Sequence, residues 1–361
     1  MKILFIAHSG NYHTIKWANW FANRGHDVHI ISFMPNKIKG ITVHCIDSGV
    51  ESTDSDVKKI KYLFYAKDVK RIVNWIQPDI INVHYATSYG ALAALSGIKN
   101  YILSVWGSDI YTFPRKIFFH KSLLKFSLKR ATYLFSTSKA MAKEGGKYTD
   151  KNFYITPFGV DMELFNPEKK FRKASHENSF IVGTVKKMEP KYGIDYIIKA
   201  IKIIVDTRPD IPIKARIAGN GSRENEYKQL ACSLNVNEKI DWLGFISQEE
   251  AAREWANMDI ALVPSESESF GVAAVEAEAC GTALIITDIP GLLEATGFGE
   301  SSCVVIPRKN AEALAKAIIA LYDQPERRMI MGYVSREFVK SKYEINKCFK
   351  DVENFFFSHQ R

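Results

Sequence analysis

Short runs of β-branched and aliphatic residues alternate with amphipathic stretches along almost the whole chain. Residues 2–7, 28–33, 41–46, 79–83, 101–105 and 132–136 are compact apolar runs bounded by turn residues, which predicts strands. Between them, residues 12–23 and 57–76 carry apolar positions at helical spacing, the first ending at Arg24-Gly25 and the second stopped by Pro78. Buried strands alternating with helices imply parallel strands covered on both faces.

The rhythm then breaks and restarts. Residues 166–179 (NPEKKFRKASHENS) are polar, contain Pro167, and read as a linker. Beyond it, strands are predicted at 180–183, 213–218, 240–242, 260–263 and 284–287, with helices at 194–205, 223–234 and 272–279. Three helical stretches close the chain, at 311–322, 325–340 and 345–357. The expected architecture is α/β: two Rossmann-like, doubly wound parallel-sheet domains facing each other across a cleft. Residues 1–165 form the first, acceptor-side domain, 166–340 the second, donor-side domain, and 341–361 a terminal helix. In such sheets ligands collect beyond the C-terminal strand ends. The 361 residues suit two cores better than one.

Charge sharpens this division. Residues 1–165 hold 22 basic and 12 acidic side chains, so the net +9 of the whole chain comes from the first half. That half either meets an anionic partner or simply carries solubilising charge. No apolar run reaches the ~18 residues of a membrane span, and the N-terminal apolar run is too short for a secretory leader. Five scattered cysteines without C-x-x-C argue against zinc or a disulfide framework and suggest reduced, buried thiols in a cytoplasmic protein.

Several loops carry candidate chemistry. Ala7-His8-Ser9-Gly10-Asn11 joins a strand to a helix, where Gly10 allows an anion or sugar to approach or simply makes a turn. His13 opens that helix and faces the ligand or solvent. A second such turn, Ala218-Gly219-Asn220-Gly221, is suited to a diphosphate. The richest segment is Ser265–Gly281. There Glu268 lies in a loop and Glu276 on the next helix, a spacing at which two carboxylates can accept hydrogen bonds from a sugar and a ribose. The alternative is a solvated acidic helix face, with Glu278 as a third member. Asp54-Ser55-Asp56 has the D-x-D form of a metal site, but its setting among Ser, Thr and Lys before a helix reads better as a cap.

Glu268-Ser-Phe-Gly-Val-Ala-Ala-Val-Glu276 carries an E-x7-E pattern. With Ala218-Gly-Asn-Gly221, Trp242-Leu-Gly-Phe245, Pro157-Phe-Gly-Val-Asp161 and Val105-Trp-Gly-Ser-Asp109, it resembles the retaining GT-B glycosyltransferases of family 4, of the bacterial polysaccharide and glycolipid type. The resemblance implies that Glu268 meets the donor sugar's hydroxyls and Glu276 the ribose. It implies that Ser269, Phe270 and Gly271 approach sugar and phosphates through their backbone, and that Gly10, Gly219, Asn220 and Phe245 also lie at the donor. A basic pair would hold the diphosphate. Lys191 fits one position and Lys186 or Lys187 the other, while Thr184 stands where the family usually has arginine. Trp106 stands where many members have histidine. It and Asp109 would contact acceptor or sugar, Asp109 having a turn-stabilising role as its alternative. The terminal helix is expected to return to the first domain.

The implied activity is transfer of a sugar from a nucleotide-sugar, UDP ahead of GDP, to a saccharide or lipid-linked acceptor in surface polysaccharide or glycolipid synthesis. No metal or cofactor is expected. Alternatives are another GT-B enzyme (a nucleotide-sugar 2-epimerase or a glycogen-type polymerase) and a non-catalytic carbohydrate-binding protein. Residues 115–143 mix eight cations with many apolar side chains and no acid before position 144. They suggest peripheral contact with an anionic membrane at the inner face of the plasma membrane, and no nucleic-acid module is present.

Overall fold

Two parallel sheets organise the chain. The computed structural model describes residues 1–49, 60–116, 118–170, 178–297, 299 and 301–360. Asp54-Ser55-Asp56 and Ile117 fall outside the described residues, as do 171–177 of the expected linker. The chain divides into two compact units, Met1–Phe158 with Cys348–Arg361, and Gly159–Lys347.

The first unit holds β1 (Lys2–Ile6), β2 (Asp27–Ser32), β3 (Thr42–Cys45), β4 (Ile80–His84), β5 (Ile102–Val105), β6 (Tyr133–Ser136) and β7 (Phe153–Ile155). Their spatial order is β3-β2-β1-β4-β5-β6-β7, every pairing parallel. The second unit holds β8 (Phe180–Val185), β9 (Ile213–Ala218), β10 (Ile240–Gly244), β11 (Ile260–Val263), β12 (Ala283–Thr287) and β13 (Val304–Ile306). Their order, β10-β9-β8-β11-β12-β13, repeats the same winding. In each sheet the order reverses once, between β1 and β4 and between β8 and β11, which opens a crevice at the C-terminal strand ends.

Burial explains which strands were legible. The central strands β4, β5, β11 and β12 are buried at every position and mostly apolar, with Asn82, His84, Ser104 and Thr287 as their polar members. The edge strands β7 and β13 are half-exposed and only 3 residues long each, too short a run to read as a strand. The long helix expected at 57–76 is a 3-10 turn, Ile60–Tyr65, followed by the helix Ala66–Ile76. Cys45 and Cys232 are exposed, contrary to the expectation of buried thiols; Cys280, Cys303 and Cys348 are buried.

The division falls at 158/159 instead of 165/166 for a packing reason. The Val160 N–H donates to Tyr343 O at 2.8 Å, and Phe165 O accepts from Arg336 Nη1 at 3.1 Å, which ties 159–165 to the helix Pro325–Tyr343. The final helix, Ile345–His359, packs from Cys348 onward in the first unit. Phe349 meets Trp17 and Phe356 stacks on Phe21, each at 5.2 Å between centroids. Buried Glu353 accepts two hydrogen bonds from Arg24 and one from His26, all at 2.8 Å.

Candidate functional site

In the second unit the chemistry gathers where the strand order reverses. Side chains alternate along β8, so Thr184 and Lys186 project to the same side. Thr184 is fully buried, and its hydroxyl has no partner among the described residues; Lys186, two positions on, clears the sheet. The Lys186 ammonium forms an ion pair with Glu268, which lies in the loop after β11; their side chains are 12% and 10% exposed. Lys187, by contrast, is exposed. Ser265 Oγ donates to the same Glu268 Oε1 at 3.2 Å.

Lys191 joins this group through an aromatic ring. The ammonium groups of Lys186 and Lys191 lie 4.7 and 4.8 Å from the Tyr192 ring centroid. Such contacts hold cations without neutralising them. Burial works against the charge on Lys186, but Glu268, Tyr192 and Glu276 outweigh it and hold the ammonium above its usual pKa. Lys186 is therefore charged, and it couples electrostatically to Glu276 on the helix Val272–Ala279.

Glycine makes this closeness feasible. Gly219 has φ +127°, and a Cβ there would lie 1.9 Å from the Lys186 carbonyl oxygen. Its N–H donates to Gly244 O at 2.6 Å, and Asn220 O accepts from Met188 N at 2.9 Å, so the turn after β9 clamps the Lys186 loop. Gly271, at φ +93°, is the cap of the Glu276 helix, where a side chain would also strike Leu292. The Phe270 ring is buried edge-on to Tyr343 at 5.1 Å, which leaves only its backbone to face a ligand. Phe245 is 80% exposed, one residue past Gly244.

The acidic face read as an alternative is not solvated throughout, because Glu278 is fully buried and neither oxygen has a well-formed hydrogen bond among the described residues. Burial raises its pKa well above the carboxylate range, more than the Gly297 N–H and Lys342 lower it. A raised folded-state pKa gives stability that is complete below the ordinary carboxyl pKa and is lost as pH rises through the folded value. Glu278→Gln is therefore expected to melt higher than the native protein at about pH 8 and to lose that advantage near pH 5. Thermal melts across this range read it directly.

In the first unit a cavity of about 420 Å³ lies beyond the ends of β1 and β4, lined by His8, Gly10, Thr14, His84 and Trp106 among others. The Gly10 N–H donates to His8 Nδ1 at 3.0 Å. Burial pushes His84 down to about 3, so its imidazole is neutral; Nδ1 lies 3.3 Å from Thr14 Oγ1. His13 stacks on Phe158 at 3.9 Å, and burial, then Lys16 and His84, hold its pKa well below the usual value. Tyr85, directly after β4, has φ +78°, a strained geometry for tyrosine.

Asp109 does not face this cavity. It is fully buried and accepts from the N–H groups of Ala86 (2.9 Å), Gly107 (2.7 Å) and Trp106 (3.2 Å). The contact with acceptor or sugar expected of it is not available through a covered carboxylate, and its geometry is that of the turn-stabilising alternative. Trp106 does line the cavity, with its ring 4.4 Å from His84.

Two family models cover most of the chain. Residues 2–138 match the "Glycosyl transferase 4-like" model and residues 165–338 match "Glycosyl transferases group 1". The chain belongs to the family 4-like GT-B glycosyltransferases. A D-inositol 3-phosphate glycosyltransferase of Pseudarthrobacter chlorophenolicus is 32% identical over 186 residues, 49% of this chain and 44% of that protein. The chain spans about half the length of such curated relatives. Sucrose-phosphate synthase from Thermosynechococcus elongatus shares the fold with a TM-score of 0.85 at 17% identity, covering 99% of this chain and 98% of that one. The Anabaena protein Alr3699/HepE, solved with UDP-glucose, gives 0.80 at 16% identity over 99% and 100%.

For this GT-B member, sequence reading missed Tyr192, Ser265, His84 and Thr14. Tyr192 follows Lys191 in the chain, but nothing in the spacing says that its ring meets two cations. His84 ends an apolar strand, and its neutrality is a product of burial.

Proposed function

We propose that this protein is a retaining glycosyltransferase that moves a sugar from a nucleotide-sugar, UDP ahead of GDP, to a saccharide or lipid-linked acceptor in surface polysaccharide or glycolipid synthesis. The observation that carries this reading is the Lys186–Glu268 pair, with Lys191 on the same Tyr192 ring, at the strand-order reversal of the second sheet. Two cations suit a diphosphate, and an adjoining carboxylate suits sugar hydroxyls. The UDP-glucose complex of the Anabaena protein is in keeping with a nucleotide-sugar donor.

Lys186 and Lys191 bind the diphosphate and stabilise the charge that develops on it as it leaves. Glu268 orients the sugar and Glu276 accepts from the ribose hydroxyls. The backbones of Gly219, Asn220, Ser269, Phe270 and Gly271, with Phe245, complete the donor side. The bond from the anomeric carbon to the phosphate oxygen breaks, and a bond to the acceptor oxygen forms on the same face. The acceptor's proton passes to the departing phosphate. No metal or cofactor is assigned a part, since the lysines supply the positive charge.

No helix among the described residues is long and apolar enough to cross a membrane. Residues 115–143 would instead rest on an anionic bilayer at its cytoplasmic face, a reading supported by exposed Phe118 and Phe119 beside exposed lysines.

The test is hydrolysis of UDP-glucose by the purified protein, with GDP sugars in parallel. Turnover should be lost in Glu268→Ala; unchanged turnover would overturn the assignment. Glu276→Ala should weaken UDP binding in calorimetry by about tenfold or more, the worth of a charged hydrogen bond.

A further inference from the structure

Outside the donor residues, the first unit carries large aromatic side chains that are exposed among the described residues. Phe64 is 82% exposed and Trp75 73%, although both flank buried apolar positions. Phe64 lies near the end of the 3-10 turn Ile60–Tyr65, and Trp75 near the end of the helix Ala66–Ile76. That helix buries Val69, Val73 and Ile76 against the core. At helical spacing its opposite face reads Phe64, Lys67, Arg71, Trp75, with an aromatic ring at each end and cations between. Lys67 and Arg71 are both exposed, Arg71 with its guanidinium also on Asp68.

The same chemistry recurs on a second element. The helix Phe118–Arg130 exposes Phe118 (85%) and Phe119 (57%) together with Lys121, Lys125 and Lys129. The helix Tyr89–Ser96 packs against both, so the three form one layer on one face of the sheet; on it, Leu95 is 48% exposed. Residues 61–76 and 113–130 together hold ten basic side chains and one acid. The cavity of the first unit lies between these two elements. Tyr62 and Leu63 line it from one side, and Phe119, His120 and Leu123 from the other.

We infer that the membrane-docking surface is bipartite, and that the turn and helix at residues 61–75 form its second half. Phe64 and Trp75 insert at the headgroup level of an anionic bilayer, while Lys67 and Arg71 meet the lipid phosphates. Aromatic residues suit that depth because their rings are apolar and polarisable, and each nearby cation adds to the attraction. An acceptor anchored in the bilayer would then enter the cavity between two docked elements. The inference rests on the proposed membrane contact of residues 115–143 and extends it.

The experiment is cosedimentation of the full-length protein with phosphatidylcholine vesicles, with and without phosphatidylglycerol. Native protein should bind the phosphatidylglycerol vesicles only. Phe64→Ser/Trp75→Ser, Lys67→Glu/Arg71→Glu and Phe118→Ser/Lys121→Glu should each weaken binding at least about tenfold. Lys316→Glu/Lys350→Glu makes the same change in net charge at exposed positions elsewhere and should leave binding intact. All the altered side chains are exposed, so unchanged circular dichroism and UDP-glucose hydrolysis in solution would certify the fold. Loss in the Phe118/Lys121 variant alone would overturn the bipartite surface and keep the first half. Equal loss in the Lys316/Lys350 variant would reduce the effect to net charge and overturn it. No binding by the native protein would overturn both membrane readings, leaving the transferase reading to its own hydrolysis test.

Discussion

Replacing Lys186 with methionine is expected to lower turnover of the nucleotide-sugar donor by about 10²–10³-fold, the usual effect of removing one preorganised group that stabilises developing charge. The reason lies in its surroundings. Lys186 is nearly buried, stays charged because Glu268, Tyr192 and Glu276 together outweigh the cost of burial, and sits on Tyr192 beside Lys191. Methionine keeps the length but leaves Glu268 without its cation. Glu268→Gln should cost a comparable factor. The double variant should then lose less than the product of the two, because the second change removes a charge that the first had already stranded. Single-turnover hydrolysis of the donor reads all three. Strict multiplication of the two effects would mean that the residues act separately.

Asp109→Ala carries the largest expected stability loss. Its carboxylate closes three backbone N–H groups, from Ala86, Trp106 and Gly107, inside a fully buried corner. Removing it leaves donors that no other group among those named can satisfy. At ~1–3 kcal/mol for each stranded group, the loss should be about 3–5 kcal/mol. Asp109→Asn keeps one acceptor oxygen and should fall between. Urea unfolding followed by circular dichroism measures both, and a loss below about 1 kcal/mol would refute this account. These loops also carry Tyr85 and Trp106 at the cavity, so Asp109 supports the first-unit site without touching its ligand.

The doubly wound pattern was legible because central parallel strands must be apolar on both faces. Runs such as those at β1, β4 and β11 have no other ready explanation. Glu268 and Glu276 stood out for a different reason: the residues between them form a recognisable spacing with Gly271 at its bend. The edge strands β7 and β13 were not legible, since 3 apolar residues in a row are too short to tell a strand from a loop or helix segment. Asp109 was ambiguous because the same sequence serves a ligand or a turn, and only burial separates the two. Glu278 looked like part of an acidic surface, and packing placed it inside.

By itself the sequence determined the two-sheet architecture, the basic bias of the first half and the carboxylates of the second. These are consequences of periodicity, composition and local spacing. Only the tertiary structure decided that Lys186 and not Lys187 meets Glu268, that Tyr192 joins Lys186 to Lys191, and that His84 is neutral. It also brought the exposed faces at 61–75 and 118–130 into one layer. Most of these depend on residues far apart in the chain and on how deeply they are buried, and the Tyr192 contacts depend on how the loop 186–192 folds over itself. Contact and desolvation at such distances arise when sheets and helices pack, and no local window of sequence records them.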